Sequence, residues 1–169
     1  MQPIWKTILW QQFGAALDML ENAMRACPDA VWFDRSRPPE FWYLVFHTLF
    51  WLDFDFSEAA GDFTPPPPYT LAELDPAGVM PERPYTKDEL ERYLDHGRQQ
   101  CRAAIASLSD EQERPWRGCE RLDAGGVELV LYQLRHVQHH AAQLNLLLRQ
   151  RVDAAPRWVR RTQIPLPAE

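Results

Sequence analysis

The chain has 169 residues, 46% of them hydrophobic, with seven Trp and eight Phe, which is enough apolar material for one domain over residues 1–169. Its 18 basic and 24 acidic residues leave a net charge of −6 with no run of like charge, which argues against nucleic acid or an anionic membrane surface as partner. Cys27, Cys101 and Cys119 are too scattered for a disulfide framework or a zinc knuckle and point to a reducing, cytoplasmic setting.

The amino terminus, MQPIWKTILWQQF, lacks the pattern of a signal peptide. The longest apolar run, residues 41–52, is shorter than the roughly 20 residues needed to span a bilayer, so no membrane partner is expected. Fifteen prolines cluster between four proline-free segments, and because proline is excluded from helix interiors these segments predict four helices. In the first, Trp5, Leu9, Phe13, Ala16, Leu17, Leu20 and Met24 recur at steps of three and four, the pattern of a core-facing amphipathic helix ending near Cys27 and Pro28.

Ser36, Arg37, Pro38 and Pro39 read as a cap and first-turn prolines for a second helix, expected to run to about Ala60. Between residues 41 and 52 only His47 and Thr48 break its apolar character, so it must be covered on more than one side, which a bundle centre plus a subunit interface would do. Taken alone, His47 reads more readily as a hydrogen-bonded core histidine than as a ligand. Residues 61–85, with prolines at 65–68, 76, 81 and 84, form a long crossover. A long connection lets the second and third helices run in the same direction, the alternative being a loose insertion between antiparallel helices.

A capping box, Thr86 with Glu89, opens the third helix, whose core face carries Leu90, Leu94, Gly97, Cys101, Ala104, Ile105 and Leu108. His96, beside Asp95 and Arg98, is expected on the solvated side. Residues 109–124 read as a connector with Pro115 and Gly118 as breakers, and Gly125 and Gly126 fix the start of the last helix. The tail, 152–169, either packs back through Trp158 and its neighbouring arginines or frays.

The last helix, residues 127–151, carries three histidines. At about 100° per residue, Val130, Leu134, Val137, Ala141, Leu144 and Leu148 make one apolar stripe. Leu129, Tyr132, His136, His140, Gln143 and Leu147 make a second stripe beside it, which turns His136 and His140 inward and leaves His139 at the rim of the polar face. Side chains four apart stack on one face, so both imidazoles can reach one ion, although two core histidines bonded to neighbours would give the same pattern.

With His47 the set becomes three neutral imidazoles around an open fourth position, the arrangement of catalytic rather than structural zinc. Nickel or iron suits imidazole as well. Tyr43 and Trp51, a turn either side of His47, and Tyr132 and Gln143, beside the last-helix pair, are the expected pocket residues, with His139 at the margin; core packing is the competing role for the aromatics. A di-iron bundle would need carboxylates three residues before the histidines, where Leu44, Gln133 and Val137 stand. A bis-histidine haem would leave the four-residue spacing unexplained. Cys27 and Cys101, on or at the end of apolar faces, read as inert, and no glycine-rich phosphate loop is present.

In FWYLVFHTLFWLD around His47 and YQLRHVQHHAAQLNLLLRQ around His136 and His140, the sequence resembles the DinB-like, YfiT-related family of metal-binding four-helix bundles. Order and spacing agree over nearly the whole chain. The resemblance implies an all-α, up-down-down-up bundle and a divalent ion, often zinc or nickel, held by His47, His136 and His140. It also implies a small-molecule substrate, and members with known activity include transferases and isomerases that use low-molecular-weight thiols, and metal-dependent hydrolases. Dimers are common in the family, so a homodimer is expected. The competing expectation is a non-catalytic metal- or ligand-binding stress-response bundle.

Overall fold

Helices form where the apolar periodicity runs unbroken by proline. In chain order they are α1 (Ile4–Ala26), α2 (Asp29–Trp32), α3 (Phe41–Phe56), α4 (Lys87–Ser107), α5 (Arg117–Leu122) and α6 (Gly126–Val152). The computed structural model describes residues 3–109 and 116–167 and, among them, is all-helical with no strand.

The four long helices pack as a bundle, and named contacts fix their directions. Lys6 Nζ reaches the Ala106 carbonyl at 2.8 Å, Arg98 reaches Asp18, and Arg25 reaches Glu91, so α1 and α4 are antiparallel. Trp42 meets Tyr85 and Asp53 meets Tyr93, so α3 and α4 run the same way, joined by the long crossover. His47 faces His140, and the Trp51 carbonyl accepts from Gln133, so α3 and α6 are antiparallel.

α1 buries Trp10, Phe13, Leu17, Leu20 and Met24 and stops at Cys27, whose backbone is extended ahead of Pro28. The single turn of α2 follows, with a fully buried Trp32 whose indole donates to the Tyr85 carbonyl at 2.9 Å. α3 departs from expectation at both ends. Glu40, not Ser36, stands at its N-cap, so Pro38 and Pro39 precede the helix. It ends at Phe56 rather than near Ala60, because Ser57 turns extended and its hydroxyl takes the Phe54 carbonyl at 2.7 Å.

The apolar circumference of α3 is covered by the chain's own crossover. Phe63 packs on Phe50 and Phe54 with ring centres 5.6 and 5.1 Å away, and Tyr85 packs on Phe46 at 4.9 Å.

The capping box of α4 is present: Glu89 N–H donates to Thr86 Oγ1 at 3.2 Å and Thr86 N–H to Glu89 Oε2 at 2.8 Å. Arg83 grips the same carboxylate at 2.7 and 2.9 Å, and this bond above all holds Glu89 down at about 2. Glu89→Ala removes half the box and should lower stability by about 1 kcal/mol, a loss of a few degrees in Tm read by thermal denaturation. Its predicted core face is buried throughout.

The α4 flank makes contacts that the sequence did not predict. His96 lies against α3 with Nε2 3.1 Å from Asp53 Oδ1, and Arg98 is buried, bound to Asp18 at 2.6 Å and Glu21 at 2.7 Å. On the α1 side the shoulder of α4 is covered, whereas the His96 side chain stays 41% exposed while bonding to α3.

The stretch read as a connector contains α5. Gly118 belongs to that helix and is no breaker: a Cβ there would lie 2.8 Å from Asp55 Cβ and 2.6 Å from Leu129 Cδ1, so glycine is what lets α5 lie against α3 and α6. Pro115 lies outside the described residues. The tail does pack back, but not through Trp158, which is 68% exposed. Thr162 is buried over Gly14, its N–H donates to the Gln11 carbonyl at 3.1 Å, and the Trp10 indole donates to the Ile164 carbonyl at 2.7 Å.

Candidate metal centre

His136 and His140 stack on the face of α6 that meets α3, where His47 projects toward them. Ring centres are 4.7 Å apart for His136 and His140, 4.9 Å for His47 and His140, and 5.5 Å for His47 and His136. One ring nitrogen from each lies within 4.8 Å of the others, a group able to hold a metal ion. No carboxylate or thiol among the described residues joins it.

Each imidazole is fixed through its other nitrogen. Nδ1 of His47 lies 2.7 Å from Glu73 Oε2, Nδ1 of His136 3.2 Å from Gln133 Oε1, and Nδ1 of His140 2.7 Å from Gln143 Oε1. An oxygen acceptor at Nδ1 of a neutral imidazole puts the proton there and leaves Nε2 with its lone pair free for a metal. Burial, reinforced by the neighbouring imidazoles, pushes His136 down to about 3. Burial likewise brings His140 to about 4. Both are therefore neutral at physiological pH, as ligation requires. Three ring nitrogens with one side left open suit a tetrahedral ion with an exchangeable fourth position.

The expected pocket residues divide. Tyr43 and Trp51 flank His47 with ring centres 6.4 and 6.5 Å away. Gln143 is the partner of His140. Tyr132 is 39% exposed and packs over the Arg121 guanidinium, whose carbon lies 5.8 Å from the ring centre, so it borders the site rather than touching the imidazoles. His139 is exposed at the rim, 5.0 Å from the His140 ring. Beside the triad a surface hollow of about 580 Å³ is lined by Tyr132, His136 and His139 among others.

Four residues that support the site were not picked out from the sequence. Glu73, in a 3₁₀ turn of the crossover, also accepts from the Trp51 indole at 2.9 Å. Burial opposes its ionisation, but hydrogen bonds from His47, Tyr43 and Trp51 outweigh that and hold its carboxyl below the usual range. Gln133 is fully buried and donates to Asp55 Oδ2 and, at 3.3 Å, to the Trp51 carbonyl. Asp55, equally buried, takes Arg121 from α5 at 2.9 and 2.6 Å. A chain of contacts thus runs from Arg121 through Asp55 and Gln133 to His136.

The sequence held signals for some of these: a carboxylate on an otherwise apolar helix, and a glutamine one turn before a candidate ligand. Glu73 had none, because nothing in the crossover is periodic. The cysteines stand apart from the site. Burial pushes Cys27 up to about 12 and raises Cys101 and Cys119 as well, so none is a ready thiolate.

A profile of the DinB superfamily matches residues 12–144. No curated protein and no solved structure matches the chain.

Proposed function

This chain belongs to the DinB superfamily, and on that premise we propose that it binds one divalent ion through His47, His136 and His140 and uses the open position for metal-dependent chemistry on a small molecule. The observation that carries the reading is the convergence of three ring nitrogens within 4.8 Å, each imidazole anchored by an oxygen at its far nitrogen. Zinc or nickel fits this all-imidazole set. Such an ion supplies a Lewis acid that lowers the pKa of a water or thiol in the open position or polarises a substrate carbonyl.

The chain's own residues bind and orient. Three uncharged ligands leave the ion its full positive charge, which favours an anionic nucleophile. With Cys27, Cys101 and Cys119 all raised above the ordinary thiol value, a sulfur nucleophile comes from outside the chain. The reading is therefore a transferase or isomerase using a low-molecular-weight thiol, with metal-dependent hydrolysis as the water-based variant. Tyr43 and Trp51 wall the site. Among the described residues no helix is long and apolar enough to cross a membrane, and a cytoplasmic setting keeps such a thiol reduced.

Protein purified without a histidine tag should hold about one zinc or nickel per chain by elemental analysis, as a single three-ligand site requires. Assays pairing cytoplasmic thiols and water with small electrophiles should then give product that a chelator abolishes and added metal restores. Metal without turnover under every pairing would leave a binding bundle and sink the enzymatic part.

A further inference from the structure

We infer that Glu73 is a positioning residue for the metal centre: its carboxylate holds His47 with the proton on Nδ1, so that Nε2 faces His136 and His140. The three acceptors around the triad are not equivalent. Gln133 and Gln143 sit on α6 beside the imidazoles they hold and offer amide oxygens. Glu73 is charged and reaches His47 from a different part of the chain.

Its place is well determined. The turn Ala72–Leu74 is closed by Leu74 N–H on the Leu71 carbonyl at 2.9 Å and Asp75 N–H on the Ala72 carbonyl at 3.1 Å. The side chain is only 5% exposed, and a single oxygen, Oε2, accepts from both His47 at 2.7 Å and Trp51 at 2.9 Å. Trp51 lies one turn beyond His47 on α3, so its indole and the His47 ring hold the same carboxylate oxygen from one helix. The other oxygen, Oε1, is buried and makes no hydrogen bond of its own.

A neutral imidazole carries one N–H, and a buried carboxylate at 2.7 Å is a stronger acceptor than an amide oxygen, which decides the tautomer. The same charge raises the basicity of the free nitrogen and offsets part of the charge of an ion held by three neutral ligands. His47 is also the one ligand outside α6, so its orientation decides whether two stacked imidazoles become a three-coordinate site.

The affinity arm of the test rests on the metal reading above, whereas the tautomer arm does not. In metal-free, ¹⁵N-labelled protein, two-bond proton–nitrogen correlation should find His47 protonated on Nδ1. Glu73→Ala should move it to the Nε2-protonated form, and Glu73→Gln, which keeps an oxygen in place, should leave it on Nδ1. Zinc affinity by chelator competition should fall about 10- to 100-fold in Glu73→Ala and by less in Glu73→Gln, the range for loss of an outer hydrogen-bond partner of a ligand. His47 still protonated on Nδ1 in Glu73→Ala would overturn the inference, as would zinc affinity unchanged in both variants. A wild-type protein that takes up no zinc would sink the metal reading instead, with the tautomer result still deciding the role of Glu73.

Discussion

Replacing His136 with alanine is expected to empty the metal centre, with bound metal falling from about one ion per chain to near zero and affinity dropping at least about 100-fold, since a tetrahedral site with an open position has no protein ligand to spare. The two histidines that remain lie on different helices, and no carboxylate or thiol among the described residues stands by to replace the third. The fold should survive, because His136 lies at the edge of the core and the α6 stripe of Val130, Val137, Ala141, Leu144 and Leu148 stays intact. His139→Ala is the matched control: its imidazole is next to His140 in space but exposed at the rim, and its removal should leave metal content unchanged. Elemental analysis of both variants beside the parent decides the matter. Equal metal in the parent and His136→Ala would rule the triad out, and loss of metal in His139→Ala would show the ligand set to be wrong.

Asp55→Ala should be the most destabilising single change outside the apolar core, at about 3 kcal/mol, the lower end of the range for breaking a buried ion pair. The carboxylate is fully buried and accepts two bonds from Arg121 and one from Gln133. Without it the Gln133 amide nitrogen keeps only its longer bond to the Trp51 carbonyl, while Arg121, one third exposed, can turn toward water. That escape is why the lower figure is chosen. Urea denaturation should show the loss, and Tm should fall by roughly 6 to 12 °C for a chain of this size. Because Gln133 also holds His136, zinc affinity should weaken about 10-fold in the same variant. A loss below about 1 kcal/mol would mean that the pair contributes no more than a surface ion pair.

The helical framework and the α6 half of the triad were legible because both rest on periodicity, whereas His47 stood out only as a polar break in an apolar run. A residue every three or four positions marks the buried face of α1, α4 and α6, and the same rule puts His136 and His140 on one side. Proline and the capping box Thr86 with Glu89 marked where helices stop and start. What escaped was set by tertiary neighbours. His96 stays partly exposed, as a wheel suggests, yet its ring reaches Asp53 on α3, and Arg98 beside the core stripe is buried in ion pairs with α1. Gly118 looked like a breaker, and only the approach of Asp55 and Leu129 shows why a small residue inside a helix is wanted there. Glu73 was beyond reach altogether, since an irregular segment carries no period from which to read where its side chain ends up.

The tail that crosses Gly14 also bears on how this protein folds. Its bonds join Trp10 to Ile164 and Gln11 to Thr162, nearly the full length of the chain apart. α1 packs beside α6, so the first helix made waits for the last. An all-helical protein of purely local contacts folds fast, whereas contacts between distant residues slow the search, because a long loop must close before they form. On this topology the three histidines meet only when α6 docks on α3, which makes ion capture a late event in folding and the arriving metal a ligand of the nearly finished bundle.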